Sequence, residues 1–141
     1  SHYHALLHGL EPEWLKAEIL RGNSITICNS NHRFYSSGIV GGNTPIALGV
    51  ALALKLRKAP ERVWAFVGDM AAEGGIFRET VRYAEGNDLP ITFIIEDNGL
   101  STYTPTKEAW GEEKSPSKVI KYEHRKEKYP HYGSGKWITF G

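Results

Sequence analysis

A single cysteine, Cys28, stands in the 141 residues. No disulfide can form within the chain, and so little cysteine fits a reducing compartment, with the cytoplasm as the expected location. An excess of one charge is missing too. Lys and Arg number 17 against 16 Asp and Glu, a net charge of +1. That balance provides no electrostatic footprint for nucleic acid or for an anionic membrane surface. Long apolar runs are absent. The most apolar stretch, PIALGVALAL at 45–54, falls well short of the roughly 20 residues a bilayer-crossing helix needs. There is no signal-peptide pattern, no low-complexity tract and no repeat of solenoid period. These absences leave a small soluble globular chain, expected as one domain over 1–141.

Glycine is plentiful, at 15, and many glycines fall between 38 and 99. Backbone is therefore expected to approach something closely there. The opening SHYHALLHGL is His-rich without a clear period, and its abrupt start at Ser1 suggests a chain cut from a longer one. EPEWLKAEILRG carries Pro12 in a first-turn position and Gly22 as a stop, which predicts a helix over 12–21. Residues 22–44 read as a long loop with a short strand at SITIC. PIALGVALALKLRK predicts a helix capped by Thr44, apolar nearly all round and so buried. RVWAFV at 62–67 and ITFIIE at 91–96 are continuous apolar runs. Between them lies a helical pattern with Ile76, Phe77, Val81 and Ala84, ending near Gly86. Strand, helix and strand of this kind predict a βαβ unit, with the strands buried on both faces. VIKYEHR at 119–125 and KWITF at 136–140 read as further strands, the first at an edge. The fold class expected is α/β, a three-layer αβα arrangement around a central parallel sheet.

This topology predicts where chemistry would sit. Ligands of parallel sheets bind outside the carboxyl ends of the strands. Asp69 follows the first run and Asn98 the second, so neighbouring strands about 4.8 Å apart bring both into one small volume. A carboxylate, a carboxamide and backbone carbonyls are hard oxygen donors that suit Mg²⁺ or Ca²⁺ rather than zinc. Gly74-Gly75 lie where the intervening helix starts, and helix N-termini favour anions. The spacing thus points to a metal-bridged phosphate or diphosphate. Taken singly, each residue has a plainer explanation: an Asp after a strand is often a helix cap, and Asn-Gly is a common turn.

GDMAAEGGIFRETVRYAEGNDLPITFIIEDN resembles the diphosphate-binding signature of thiamine-diphosphate enzymes, which begins Gly-Asp-Gly and closes on Asn-Asn or Asp-Asn. FYSSGIVGGNTPIALGVALALK and DNGLSTYTPT are similar to two further stretches of the alpha subunit of the two-oxoacid dehydrogenase decarboxylating component. The likeness runs from about Gly22 to Thr106 on three ordered motifs. It implies the thiamine-diphosphate-binding fold. It also implies that Asp69 and Asn98 bind Mg²⁺ by side chain and Leu100 by its carbonyl. Gly68, Met70 and Ala71 would line the diphosphate, and Gly38 and Val40 would face the aminopyrimidine. Met70 departs from the family's third glycine. A Tyr-Arg pair that precedes a His-Gly in the family is missing. His2 falls where that His would lie, whereas His4 and His8 are expected in plain surface or packing roles.

The glutamate that activates thiamine diphosphate sits on a separate pyrimidine-binding domain in this family, and 141 residues leave no room for one. The resemblance therefore implies one subunit of a split enzyme, lacking N- and C-terminal parts of the family's alpha chain. Its partner would be a beta-type pyrimidine-domain subunit, most simply two copies of each. The reaction implied is decarboxylation of a 2-oxo acid with transfer of the acyl or aldehyde unit. The alternatives are a split transketolase-like enzyme acting on a ketose, and a non-catalytic thiamine-diphosphate-binding module. Ile39, Val40 and the start of the 45–54 helix are the candidate partner-facing apolar residues.

Overall fold

A computed structural model describes residues 1–111 and 119–123. The chain separates into two compact units, Ser1–Asn43 and Thr44–Gly141.

The first unit holds α1 (His2–Leu7), α2 (Pro12–Leu20) and a hairpin of β1 (Cys28–Asn29) with β2 (Phe34–Tyr35). Pro12 begins α2, and Gly22 follows its end at φ +92°, a conformation glycine adopts without strain. The helix stops one residue before the expected end. α1 has no sequence period because it buries a single residue, Ala5. Ala5, Leu10, Leu15 and Ile27 form this unit's core, with Trp14 and Phe34 packed against it. Ser36 extends the hairpin: its hydroxyl accepts from Ile27 N at 2.9 Å and donates to Ile25 O at 3.0 Å. His2 Nε2 donates to the Ser24 carbonyl at 2.5 Å, and His8 Nε2 to the His32 carbonyl at 2.8 Å. Both imidazoles thus tie α1 to the loops that follow α2. The His8 ring also lies 5.8 Å from that of Phe34, the packing role expected of it.

The second unit is the predicted βαβ unit. α3 (Asn43–Leu56) starts one residue before the expected cap, Thr44. β3 (Val63–Gly68) leads into a one-turn helix, α4 (Asp69–Ala72), then α5 (Gly75–Gly86) and β4 (Ile91–Asp97). β5 (Leu100–Ser101) and β6 (Thr104–Pro105) make a small antiparallel ribbon, α6 (Thr106–Trp110) follows, and β7 (Val119–Glu123) closes the described chain. The strand order is β3-β4-β7, all parallel, with Gly68 opposite Glu96 and Asp97 opposite Glu123. The α/β class with a parallel sheet is therefore as expected, and so is the edge strand near 119. The expected strand at 136–140 lies outside the described residues.

Burial follows strand alternation. Ala65, Val67, Ile91, Phe93 and Ile95 share one core with Ala51 of α3 and with Phe77, Val81 and Ala84 of α5. The Phe77 and Phe93 rings meet edge to face at 5.5 Å. Burying Phe77 and Val81 contributes roughly 1.5–3 kcal/mol each. The even-numbered residues Trp64, Phe66, Ile120 and Tyr122 are exposed, Trp64 by 57%. This corrects the reading of the 62–67 run as buried on both sides, because apolar character permits burial only where a second layer supplies contacts; the 91–96 run is buried on one face and half-buried on the other. The expectation of a buried α3 is corrected on the same ground: Ile46 and Val50 stay about half exposed, while Thr44 and Ala51 are fully covered.

Candidate functional site

The carboxyl edge of the parallel sheet holds the expected residues. β3 ends at Gly68, whose φ of −71° and ψ of 155° are extended backbone open to any residue. Asp69 then starts α4 and is 8% exposed. Because Gly68 pairs with Glu96 in register, Asp69, just after β3, and Asp97, the last residue of β4, stand one residue beyond that paired row. Asp69 is among the groups that act on the Asp97 carboxyl. Asp97 also accepts from Gly99 N–H at 2.7 Å and pairs with the Lys121 ammonium at 2.7 Å. Burial acts to raise the Asp97 carboxyl. Hydrogen bonds from Lys121 and Gly99, the Lys121 charge and the neighbouring Asp69 outweigh it and hold the group below the ordinary carboxylate range.

Asn98 sits next along the chain, and its Oδ1 accepts from Leu100 N–H at 3.1 Å. This Asx-type turn needs Gly99 at φ +72°. The Thr106 N–H donates to Gly99 O at 3.0 Å. That bond makes Leu100 and Pro105 a non-hydrogen-bonded pair, so the Leu100 carbonyl points away from β6. α4 packs against β3, β4 and β5, which brings the Asp69 turn and the Asn98–Leu100 turn together.

Met70 and Ala71 complete the first turn of α4, where N–H groups have no partner four residues back. Met70 is not among the residues with positive φ, so the backbone here does not require the family's glycine. A Cβ placed on Gly68 or on Gly75 would meet nothing within 4 Å, so open space lies just before α4 and at the first residue of α5. Such openings beside helix starts suit a diphosphate, and the oxygen donors suit Mg²⁺. Among the described residues, no three His, Cys, Asp or Glu side chains gather to hold a metal.

Gly38 and Val40 belong to the first unit. A Cβ on Gly38 would stand 2.6 Å from Ile25 Cδ1, so close packing against Ile25 gives that glycine a local reason. Val40 and Ile39 are 78% and 75% exposed. Glu73, near the start of α5, is buried and pairs with the Arg78 guanidinium.

Three contributors went unnoticed in the sequence. Thr106 donates its hydroxyl to Asp69 Oδ2, Lys121 holds Asp97, and Trp110 Nε1 donates to Met70 Sδ at 3.1 Å. The one available signal was Pro-Thr after the Asn-Gly turn, a sequence suited to restarting a helix.

Residues 10–120 match the dehydrogenase E1 component family. The chain belongs to that family. It is 31% identical over 119 residues to the pyruvate dehydrogenase E1 component subunit alpha of Zymomonas mobilis, covering 77% of this chain and 34% of that protein. The same-named subunit of Rickettsia prowazekii is 34% identical over 114 residues, 74% of this chain and 35% of that one. The alpha subunit of acetoin:2,6-dichlorophenolindophenol oxidoreductase from Cupriavidus necator is 33% identical over 114 residues, 74% of this chain and 34% of its own length. This dehydrogenase E1 component chain thus spans about a third of the curated relatives it matches. No helix among its described residues is long and apolar enough to cross a membrane.

Proposed function

We propose that this chain anchors Mg²⁺ and the diphosphate of thiamine diphosphate in an enzyme that decarboxylates a 2-oxo acid. The observation that carries the reading is the meeting of the buried Asp69 with the Asn98–Gly99–Leu100 turn at the ends of adjacent parallel strands. Asp69 would supply the anionic ligand, Asn98 its carboxamide oxygen and Leu100 its outward carbonyl. Gly68, Met70 and Ala71 would present backbone N–H groups to the diphosphate at the start of α4. The bound cofactor would supply a thiazolium carbon able to stabilise the carbanion left by decarboxylation. This chain's own task is to neutralise and fix the diphosphate tail.

The relatives are named as alpha subunits, which supports a partner chain. Exposed Ile39, Val40, Ile46 and Val50 offer apolar surface suited to such a partner, a pyrimidine-domain subunit that would contribute the activating glutamate. The chain alone is therefore expected to bind thiamine diphosphate weakly and to turn over no 2-oxo acid. The partner should restore both in the presence of Mg²⁺.

The deciding experiment is calorimetric titration of thiamine diphosphate with and without Mg²⁺ on the copurified assembly. Asp69→Ala should abolish Mg²⁺-dependent binding without unfolding the chain, and Asn98→Ala should weaken it less. Unchanged affinity in the Asp69 variant would sink the assignment.

A further inference from the structure

One residue bonds to both turns that carry the proposed ligands. Thr106 opens α6, immediately after Pro105. Its N–H donates to the Gly99 carbonyl at 3.0 Å, within the turn that presents Asn98 and Leu100. Its hydroxyl donates to Asp69 Oδ2 at the end of the neighbouring strand. One helical turn later, Trp110 Nε1 reaches Met70 Sδ at 3.1 Å. α6 therefore grips the Asp69–Met70 segment at two successive residues while its first residue also holds the Asn98 turn.

We propose that Thr106 is the positioning residue of the cation site: it fixes the rotation of the Asp69 carboxylate and the separation between Asp69 and the Asn98–Leu100 turn. The idea rests on the diphosphate reading above and adds a residue outside the ligand set. The physical argument is one of orientation. A carboxylate on a short side chain can rotate about χ2, and each orientation sends its two oxygens to different places. The Thr106 hydroxyl binds Oδ2 and so sets the direction in which Oδ1 is presented. Outer partners of ligating groups act in this way, and losing one typically costs about 10–100-fold in metal affinity. Trp110 secures the next residue. Its indole N–H takes the Met70 sulfur as acceptor, so the bulk that replaces the family's glycine is held to α6.

The test is Mg²⁺ titration of thiamine diphosphate binding to the full chain in its copurified assembly, followed by calorimetry. Thr106→Val keeps the shape and the backbone N–H to Gly99 and removes only the hydroxyl. It should raise the half-saturating Mg²⁺ concentration about tenfold. Excess Mg²⁺ should restore full cofactor binding, since a misoriented ligand is compensated by mass action and a collapsed site is not. Thr106→Ser, which retains the donor, should stay close to the unaltered protein. If the valine variant does not fold, Thr106→Ala takes its place with the same expectation. Unchanged Mg²⁺ dependence in the valine or alanine variant, with Asp69→Ala abolishing binding, overturns the Thr106 role and leaves the diphosphate reading standing. A serine variant as impaired as valine also overturns it. If the unaltered protein shows no Mg²⁺-dependent binding, or Asp69→Ala retains it, the diphosphate reading fails and the Thr106 role with it.

Discussion

α3 and α5 have opposite relations to the sheet. α5 is the more polar helix, yet Phe77, Thr80, Val81 and Ala84 are all buried on its inner side. α3 is the more apolar, yet it buries only Thr44 and Ala51, with Ala47, Leu48 and Leu52 partly covered. An amphipathic helix needs one neighbour, and the described sheet supplies it. A helix apolar all round needs contacts on more than one side. The lesson is that the apolarity of a helix measures how many surfaces it is built to meet, not how many it meets in a given set of residues.

The largest expected effect tests the α5 side of this contrast. Phe77→Ala removes a fully buried ring packed on Phe93 and should cost about 3–5 kcal/mol in urea unfolding. A loss below 1 kcal/mol would mean that α5 is not the packed helix. Ala51→Leu places three extra carbons into the buried row of α3 and should cost about 1–3 kcal/mol. A stabilised variant would show room beneath α3 that the structure does not have.

Smaller effects concern the sheet edge and the outer side of α3. Asp97 is held below the ordinary carboxylate range, so the folded state keeps this group ionised to lower pH than the unfolded chain does. Its contribution to stability is present above the unfolded carboxylate value of about 3.9 and is lost as the pH falls through the lower folded value. Lys121→Met should flatten that acid limb of the urea midpoint against pH. An unchanged limb would assign the slope to other carboxylates. The smallest effect is expected for Ile46→Ser with Val50→Ser. Both residues are half exposed, so the chain alone should change by about 0.5 kcal/mol or less. Association with the proposed partner subunit should weaken clearly in a sedimentation experiment. A large loss in the chain alone would show that this side of α3 is already covered.

Much of the sheet was legible because continuous apolar runs bounded by Gly-Asp and Asp-Asn-Gly leave few arrangements. The strands expected at 62–67 and 91–96 form as Val63–Gly68 and Ile91–Asp97, and the helix between them ends at Gly86 as expected. The nearness of Asp69 to the Asn98 turn followed from that topology alone. α1 and α4 were not legible. Each is short, and neither shows enough period to declare a helix. Thr106 and Lys121 were invisible for another reason: their partners lie far along the chain, and nothing in local spacing says which hydroxyl or ammonium a folded turn will meet. The cover on each face was misjudged because sequence records the capacity for burial rather than the presence of a neighbour, as Trp64 and Val50 show.

The parallel register of the larger sheet also has a kinetic consequence. Val63 meets Ile91 and Phe93 meets Val119, so each pairing closes a loop that must be ordered before any of its contacts form. Asp69 and Asn98 acquire their proximity only when β3 and β4 have zipped to their carboxyl ends. On the proposed reading, a divalent cation therefore has no assembled site on the unfolded chain and cannot seed the fold. It can only capture the finished one, so Mg²⁺ with its diphosphate should slow unfolding while leaving the rate of refolding almost unchanged.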